Sequence, residues 1–424
     1  MERTKLKKIL RDRLFQVYER LRQDKLNKED LIATIDQIFE LLEKQQNLVI
    51  PEQEKKVVTS QIVNDLLGWG PLQSLMEDEE ITEILVNGPY KIYMEKRGKN
   101  TISNVKFDDE EHLRYIIERM IRPTRRRLDE SCPYVDFSLE DGSRVNIIIY
   151  PLSMVGPTVT IRKFLKNIQS LDDLTEFGTL NEKMAYFLQS CIRAKINMLF
   201  SGATGVGKTT TLEVLSSYID PSERVVTIED SQELHLRQEH VISLLTRAPN
   251  IEGRGEVTIR DLFRNTLRMR PSRIILGEIR GREALDFLQA LNSGHRGCLA
   301  VIHASSPEDA TARIETMVFY AGVNIPIWVV RKQIASGLDL IVQQEQLVDG
   351  SRKITRISEI RELDKENNIT IKNLFYFQQK DFDSEGRVAG EFKSTGVIPQ
   401  FMDRFSKMGV RVSQDLFRSN EATT

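Results

Sequence analysis

Residues 197–210, NMLFSGATGVGKTT, decide the fold. Met198, Leu199 and Phe200 form the short apolar run of a buried parallel strand, and Ser201 ends it. Gly202, Ala203, Thr204, Gly205, Val206, Gly207, Lys208 and Thr209 then fit the phosphate-loop pattern G-x-x-x-x-G-K-[ST]. The pattern has specific physical content. Backbone N–H groups must turn inward around the β- and γ-phosphates, and glycine permits the positive-φ turns and close approach this needs. Lys208 brings a point charge to the β/γ oxygens, and the Thr209 hydroxyl is placed to ligate Mg²⁺. The helical run TTTLEVLSSYI, with Thr210 in its first turn, adds a positive N-terminal end. The expected ligands are therefore a nucleotide and Mg²⁺.

Outward from this loop, residues from about 185 to 345 alternate helices with buried strands, as a parallel α/β core requires. The strand candidates beside NMLFSG are RVVTIED, RIILGE and GCLAVIHA. RVVTIED ends in Glu229 and Asp230, with Glu233 one turn on, at the sheet edge where α/β folds bind ligands. Glu229 is expected to hold Mg²⁺, directly or through water, or to position the attacking water. RIILGE ends in Glu278, the candidate for polarising a hydrolytic water. Gly277 stands where an Asp is conventional, which shifts metal coordination onto Thr209 and the acids at 229 and 230. His303 falls on the same edge, where it can donate to the γ-phosphate or report its loss; His295, before the strand, is a second candidate. A transferring phosphoryl group favours guanidinium charge supplied from a neighbouring domain or subunit. Arg144 in DGSRVN and Arg162 in TIRKF are the candidates for it.

Upstream, residues 3–22 carry Leu6, Ile9, Leu10, Leu14, Val17, Tyr18 and Leu21 at helical spacing. Asn27 caps a second helix with the stripe Leu31, Ile32, Ile35, Ile38, Phe39 and Leu42. Pro51 opens a third, which Gly68 stops. The spans are then a helical bundle at 1–67 and an α+β sheet domain at 68–165, with ITEILVNG, KIYMEKRGK, VNIIIYPL and TVTIRKF as strands. A linker at 166–180 leads to a phosphate-loop domain at 181–424, whose tail holds the strands ITRISEI and NITIKNLFYF and a charged helix near 399–408.

The totals exclude several classes. A net charge of -2 across 424 residues gives no general pull toward nucleic acid or anionic lipid. The cysteines, Cys132, Cys191 and Cys298, lack zinc or disulfide spacing and suit a reducing cytoplasm. No apolar run approaches membrane-spanning length. NKED at 27–30 imitates a guanine-specifying motif but precedes the phosphate loop and lacks a buried strand before it, which argues against a GTPase.

The order of phosphate loop, TIED, RMRPSRIILGEIRG and SGHRG…VIHA is that of the Walker A, Asp box, Walker B and His box of the secretion-superfamily traffic ATPases. Within these the chain most resembles the CpaF-type motors of tight-adherence (Tad/Flp) pilus systems, from GWGPLQSLM at 68 to GRVAGEFKSTGVIPQF near the C-terminus. LDESCPYVDFSLEDGSRVNIIIYPL and PNIEGRGEVTIRDLFRNTLRMRP carry much of the likeness. The resemblance implies a RecA-like phosphate-loop core preceded by an α+β (PAS-like) domain and a helical bundle. It implies a homo-hexameric, cytoplasmic Mg²⁺-ATPase beneath polytopic inner-membrane platform proteins, associated with the membrane only through them. Nucleic acid is not an expected partner. The motor would assemble, or withdraw, a type IV pilus; the alternatives are a motor of another type II or type IV secretion system and a nucleotide-gated scaffold with little turnover. The same resemblance maps phosphate-reaching arginines to Arg144 and Arg162, Asp-box acids to Glu229, Asp230 and Glu233, the Walker B acid to Glu278, and the His-box residue to His303.

Overall fold

The computed structural model describes residues 6, 7, 9–11, 13, 14, 27–46, 49–96, 98–124, 126–163, 168–247, 249, 253–384 and 386–419. The chain divides into two compact units, Met1–Leu165 and Lys166–Thr424.

In the first unit, helices α1 (Lys28–Gln46) and α2 (Glu52–Leu67) bury Leu31, Ile35, Ile38, Phe39, Leu42, Val58 and Ile62 against Leu6, Leu10 and Leu14. The i, i+3/i+4 spacing of these residues gathers them on one helix face. The second half of the first expected helix, residues 15–22, lies outside the described residues. The sheet is six-stranded and antiparallel, in the order β3-β2-β1-β6-β5-β4. Its strands are β1 (Ile81–Asn87), β2 (Ile92–Lys96), β3 (Lys99–Ile102), β4 (Tyr134–Ser138), β5 (Arg144–Ile148) and β6 (Thr158–Arg162). Helix α3 (Glu110–Ile121) packs Leu113, Ile116, Ile117 and Met120 with Ile84, Val86, Val145, Ile147, Val159 and Ile161. A buried polar network fastens the helices to this layer: Lys7 Nζ lies 2.8 Å from Asp65 Oδ2 and 2.9 Å from Asp108 Oδ2, and His112 Nε2 lies 3.0 Å from Asp65 Oδ1.

The second unit is built on a nine-stranded sheet in the order β15-β14-β13-β12-β7-β11-β10-β8-β9. Strands β7 (Met198–Gly202), β8 (Val225–Glu229), β9 (Val241–Leu245), β10 (Arg273–Leu276), β11 (Leu299–His303) and β12 (Leu340–Gln346) run parallel. Strands β13 (Arg352–Leu363), β14 (Ile369–Phe382) and β15 (Val388–Ser394) continue it as an antiparallel meander. A parallel sheet is stable when both faces are covered, and the central strands read apolar throughout for that reason. Met198 and Phe200 point into one core, with α4 (Glu182–Arg193) and α5 (Lys208–Ser216). Leu199 points into the other, with α6 (Ile259–Thr266), α7 (Glu283–Asn292), α8 (Pro307–Tyr320) and α9 (Ile327–Gly337). The α/β expectation holds for this unit. Strands β9, β12 and β15 are additions to the strands read from sequence. The segment read as a linker carries a short helix, Leu171–Glu176, opened by a Ser170–Asp173 capping box, with Leu171 and Leu174 buried in the first of these cores. Among the described residues no helix is long and apolar enough to cross a membrane.

Candidate functional site

Strand β7 lies between β11 and β12, with Gly202 opposite His303 on one side and Ser201 opposite Gln343 on the other. The C-terminal ends of three parallel strands therefore meet where the chain leaves β7. The three loop glycines, Gly202, Gly205 and Gly207, serve different needs. Gly205 (φ +80°) is required by conformation alone, whereas Gly207 (φ +94°) also lies against Gln344. Gly202 (φ +153°) is pressed so close to the Gln344 carbonyl that a Cβ would stand 2.2 Å from it. Helix α5 begins at Lys208, capped by Gly207 in the left-handed region. Ala203 and Thr204 are exposed on the loop, Val206 is buried under it, and Thr209 and Thr210 are half-buried in the first turn. Lys208 is itself buried; its Nζ donates to the carbonyls of Gly202 (3.0 Å) and Ala203 (2.6 Å) and lies 3.4 Å from His303 Nδ1. Thr204 Oγ1 is also 3.4 Å from that nitrogen.

The far side of the same imidazole meets Glu278: His303 Nε2 is 3.3 Å from Glu278 Oε1. Arg280 takes the other carboxylate oxygen, with Nη2 2.6 Å from Oε2, and extends Nη1 to within 3.1 Å of Asp230 Oδ2. Burial alone would raise the Glu278 pKa. The hydrogen bonds from His303 and Arg280 outweigh it and hold the carboxyl down, from the ordinary 4.5 to about 2. Glu278 is thus ionised throughout the neutral range. Asp230 and Arg280 also line a cavity of about 320 Å³ with Thr246, Arg247 and Glu283. Arg280, more than half exposed, has room beside it to move off the carboxylate.

Glu229 ends β8 as a buried residue, and its Oε1 accepts the backbone N–H groups of Glu233 and Leu234, both at 3.0 Å. Its Oε2 is buried with no hydrogen-bond partner. Burial raises the pKa of this carboxyl from 4.5 to about 7, against those two amide bonds, with the charges of Glu233 and Glu213 adding to the rise. The glycine at 277 now has a reason. A Cβ there would lie 2.8 Å from Glu229 Cγ, so the Glu229 side chain occupies the space an aspartate at 277 would need.

A raised carboxyl pKa destabilises the folded chain as pH climbs through it, since the unfolded chain ionises near 4.5. Glu229→Gln is therefore expected to stabilise the nucleotide-free protein at pH 8, by about 1–3 kcal/mol. The gain should disappear at pH 4.5 and below. Paired thermal melts at the two pH values check this, and a gain independent of pH counts against it.

Not every candidate joins the cluster. His295 follows α7 and precedes β11, at the opposite end of that strand from His303, where its Nδ1 lies 3.4 Å from Ser293 Oγ. Asp230 is engaged by Arg280 and by Thr246 Oγ1 (3.1 Å). Arg144 and Arg162 are direct cross-strand neighbours on β5 and β6 of the first unit. Three contributors were not picked out from sequence. Arg280 carried a legible sign, because it stands only two residues after Glu278 and offers the nearest cation along the chain to that acid. Gln344 and Arg352 carried none; strand pairing brings them to the loop from well over a hundred residues away.

A parallel sheet with a glycine loop capping its central strand, and an acid and a histidine on the neighbouring strand ends, defines a phosphate-loop α/β protein. Residues 65–378 match the family model described as type II/IV secretion system protein, and the chain belongs to that family. A putative conjugal transfer protein of Mycobacterium tuberculosis (strain H37Rv) is 32% identical over 70% of this chain and 86% of its own length. The type IV secretion system protein VirB11 of Brucella suis is 31% identical over 68% of this chain and 88% of its own. Among solved structures, the ATPase DotB of Yersinia pseudotuberculosis is 14% identical, covers 80% of this chain and 79% of that one, and has a TM-score of 0.50, a likeness of fold alone.

Proposed function

We propose that this protein is a Mg²⁺-dependent ATPase, a motor that converts ATP and water to ADP and phosphate and passes the resulting movement to a membrane-bound secretion or pilus machine. One observation carries the proposal. Lys208, His303 and Glu278 form a continuous polar chain, with 3.4 Å and 3.3 Å between successive partners, from the phosphate loop to the second acid. Lys208 would leave the loop carbonyls for the phosphates. Glu278 would orient the water and draw its proton, and His303, touching loop and acid together, would register whether a γ-phosphate is present. The Glu278 carboxylate accepts a proton poorly while Arg280 grips it, so Arg280 must swing away before the water is activated.

The residues fit a magnesium ion. The buried, unpartnered Glu229 Oε2 and the Thr209 hydroxyl would hold it, Glu229 directly or through water, and its chemistry there is to neutralise the developing phosphate charge. No cluster of three or more His, Cys, Asp or Glu side chains is present among the described residues, and an ion that keeps waters and phosphates as ligands needs none. Arg144 and Arg162 are our candidates for the cationic charge that meets the transition state.

We further propose a homo-hexamer at the cytoplasmic face of the inner membrane, docked on polytopic platform proteins, and within the family a tight-adherence pilus motor. The motif GRVAGEFKSTGVIPQF, which lies wholly beyond the matched residues 65–378, supports that subtype. Lys208→Ala is expected to lower phosphate release from Mg²⁺-ATP by about 10²-fold or more, the scale of losing one preorganised charge on a transferring group. A steady-state phosphate-release assay, with solution mass measured alongside, tests the proposal. Wild-type hexamers that release no phosphate above background would leave the scaffold reading in its place.

A further inference from the structure

A loop that turns its N–H groups inward on an anion turns carbonyls outward, and those carbonyls need donors from the protein. Two of the donors come from the loop's own Lys208, which holds the carbonyls of Gly202 and Ala203. A third comes from a distant part of the chain. Arg352, the first residue of β13, donates its Nε–H to the carbonyl of Gly205 at 2.9 Å. Gly205 has φ +80°, and nothing lies within 4 Å of where its Cβ would be, so packing around that position does not hold its conformation.

We infer that Arg352 is a positioning residue that keeps the phosphate loop in its anion-binding shape, an inference that rests on the reading of this loop as the nucleotide site. The arginine is carried on the β12–β13 hairpin, where Gln346 pairs with Arg352 and Gln344 with Ile354. Gln344 is buried and touches the loop at both ends. Its carbonyl crowds Gly202, its Nε2 lies 3.0 Å from a Cβ position on Gly207, and its Oε1 accepts from Thr211 of α5 at 2.9 Å. The hairpin is itself anchored. Asp349 accepts the backbone N–H groups of Ser351 (3.0 Å) and Val388 (2.8 Å), and Lys353 Nζ donates to the Gly178 carbonyl at 2.7 Å. The Arg352 side chain therefore projects from a fixed base, and its grip on Gly205 restrains the one glycine of the three whose Cβ position meets no neighbouring atom. Because Lys208 has to release its carbonyls for the phosphates, Arg352 is the donor that stays with the loop when nucleotide enters.

The test compares wild type, Arg352→Ala and Arg352→Lys by titration of a fluorescent ADP in the presence of Mg²⁺, by the KM and kcat of ATP hydrolysis, and by thermal melting. Removing a charge-assisted hydrogen bond from the loop is expected to weaken ADP binding about tenfold in the alanine variant and to raise KM more than it lowers kcat. Lysine, which still offers an N–H to the Gly205 carbonyl, is expected to recover most of the affinity. ADP binding by Arg352→Ala within about twofold of wild type overturns the inference, and so does an equal loss in the lysine variant, whatever the melting temperature. Wild-type protein that binds ADP while the variants behave in either of those ways leaves the proposed function standing. Wild-type protein that binds no adenine nucleotide removes both.

Discussion

Glu278→Gln is expected to bind ADP within about twofold of wild type and to hydrolyse ATP about 10²–10⁴-fold more slowly, the usual contribution of a positioned acid or base. The substitution keeps the shape of the side chain and an oxygen that His303 or Arg280 can address. What it removes is the negative charge that both neighbours hold in the ionised form, and with it the acceptor for the water's proton. Because those neighbours hold the Glu278 pKa near 2 in the nucleotide-free protein, kcat/KM, which reports the free enzyme, should not fall on account of this carboxyl anywhere in the neutral or mildly acid range. Turnover within threefold of wild type, with the variant folded and binding nucleotide, would take Glu278 out of the mechanism.

The largest expected effect on stability lies in the second unit, beneath the site. Arg273 begins β10 and is almost wholly buried. Its Nε and Nη2 donate to the two carboxylate oxygens of Glu223, both at 2.9 Å, and Nη2 also donates to the Ile192 carbonyl at 2.8 Å. Lys195 Nζ reaches the same carboxylate at 2.8 Å. Gly297 makes room for the guanidinium, since a Cβ at 297 would stand 2.7 Å from Nη1. Arg273→Leu leaves Glu223 poorly compensated and the Ile192 carbonyl without this donor. We expect a loss of about 3–5 kcal/mol, the range for breaking a buried pair from one side. At roughly 2–4 °C per kcal/mol for a unit of this size, melting should fall by the order of 10 °C. Burial works to raise the Glu223 pKa, but Arg273 and Lys195 together lower it. The stability this supplies is present above the unfolded carboxylate value of 4.5 and is lost as pH falls through the folded one, so the gap between wild type and variant should narrow in acid. A melting temperature within about 2 °C of wild type at pH 7 would mean that the buried pair contributes little.

How far the site could be read from sequence depended on how local each constraint was. The phosphate loop is a continuous run whose glycines, lysine and threonine answer to the loop's own geometry, so its pattern survived reading one letter at a time. Glu229, Glu278 and His303 were also legible, because each ends an apolar run and parallel strands deliver their C-terminal ends to one edge. His295 was placed before its strand and His303 at its end, and the strand's length is what separates the two in space. Strand β9 escaped notice because, at the sheet edge, it is only partly buried. Gly277 was read as a departure from a pattern, but its cause is the Glu229 side chain arriving from the neighbouring strand.

The sequence by itself determined the chemistry on offer: a cradle of N–H groups with a lysine and a hydroxyl, acids at strand ends, and alternating helices and apolar strands that close into a covered parallel sheet. These follow from local periodicity and from the fixed direction of parallel strands. Tertiary structure alone decided which donors hold that cradle open and which charges face Glu278. The order of strands around β7, not their order along the chain, puts Gln344 and Arg352 against the loop on one side and His303 on the other. Such contacts arise from pairing across long stretches of chain, and a linear pattern carries no record of the partner.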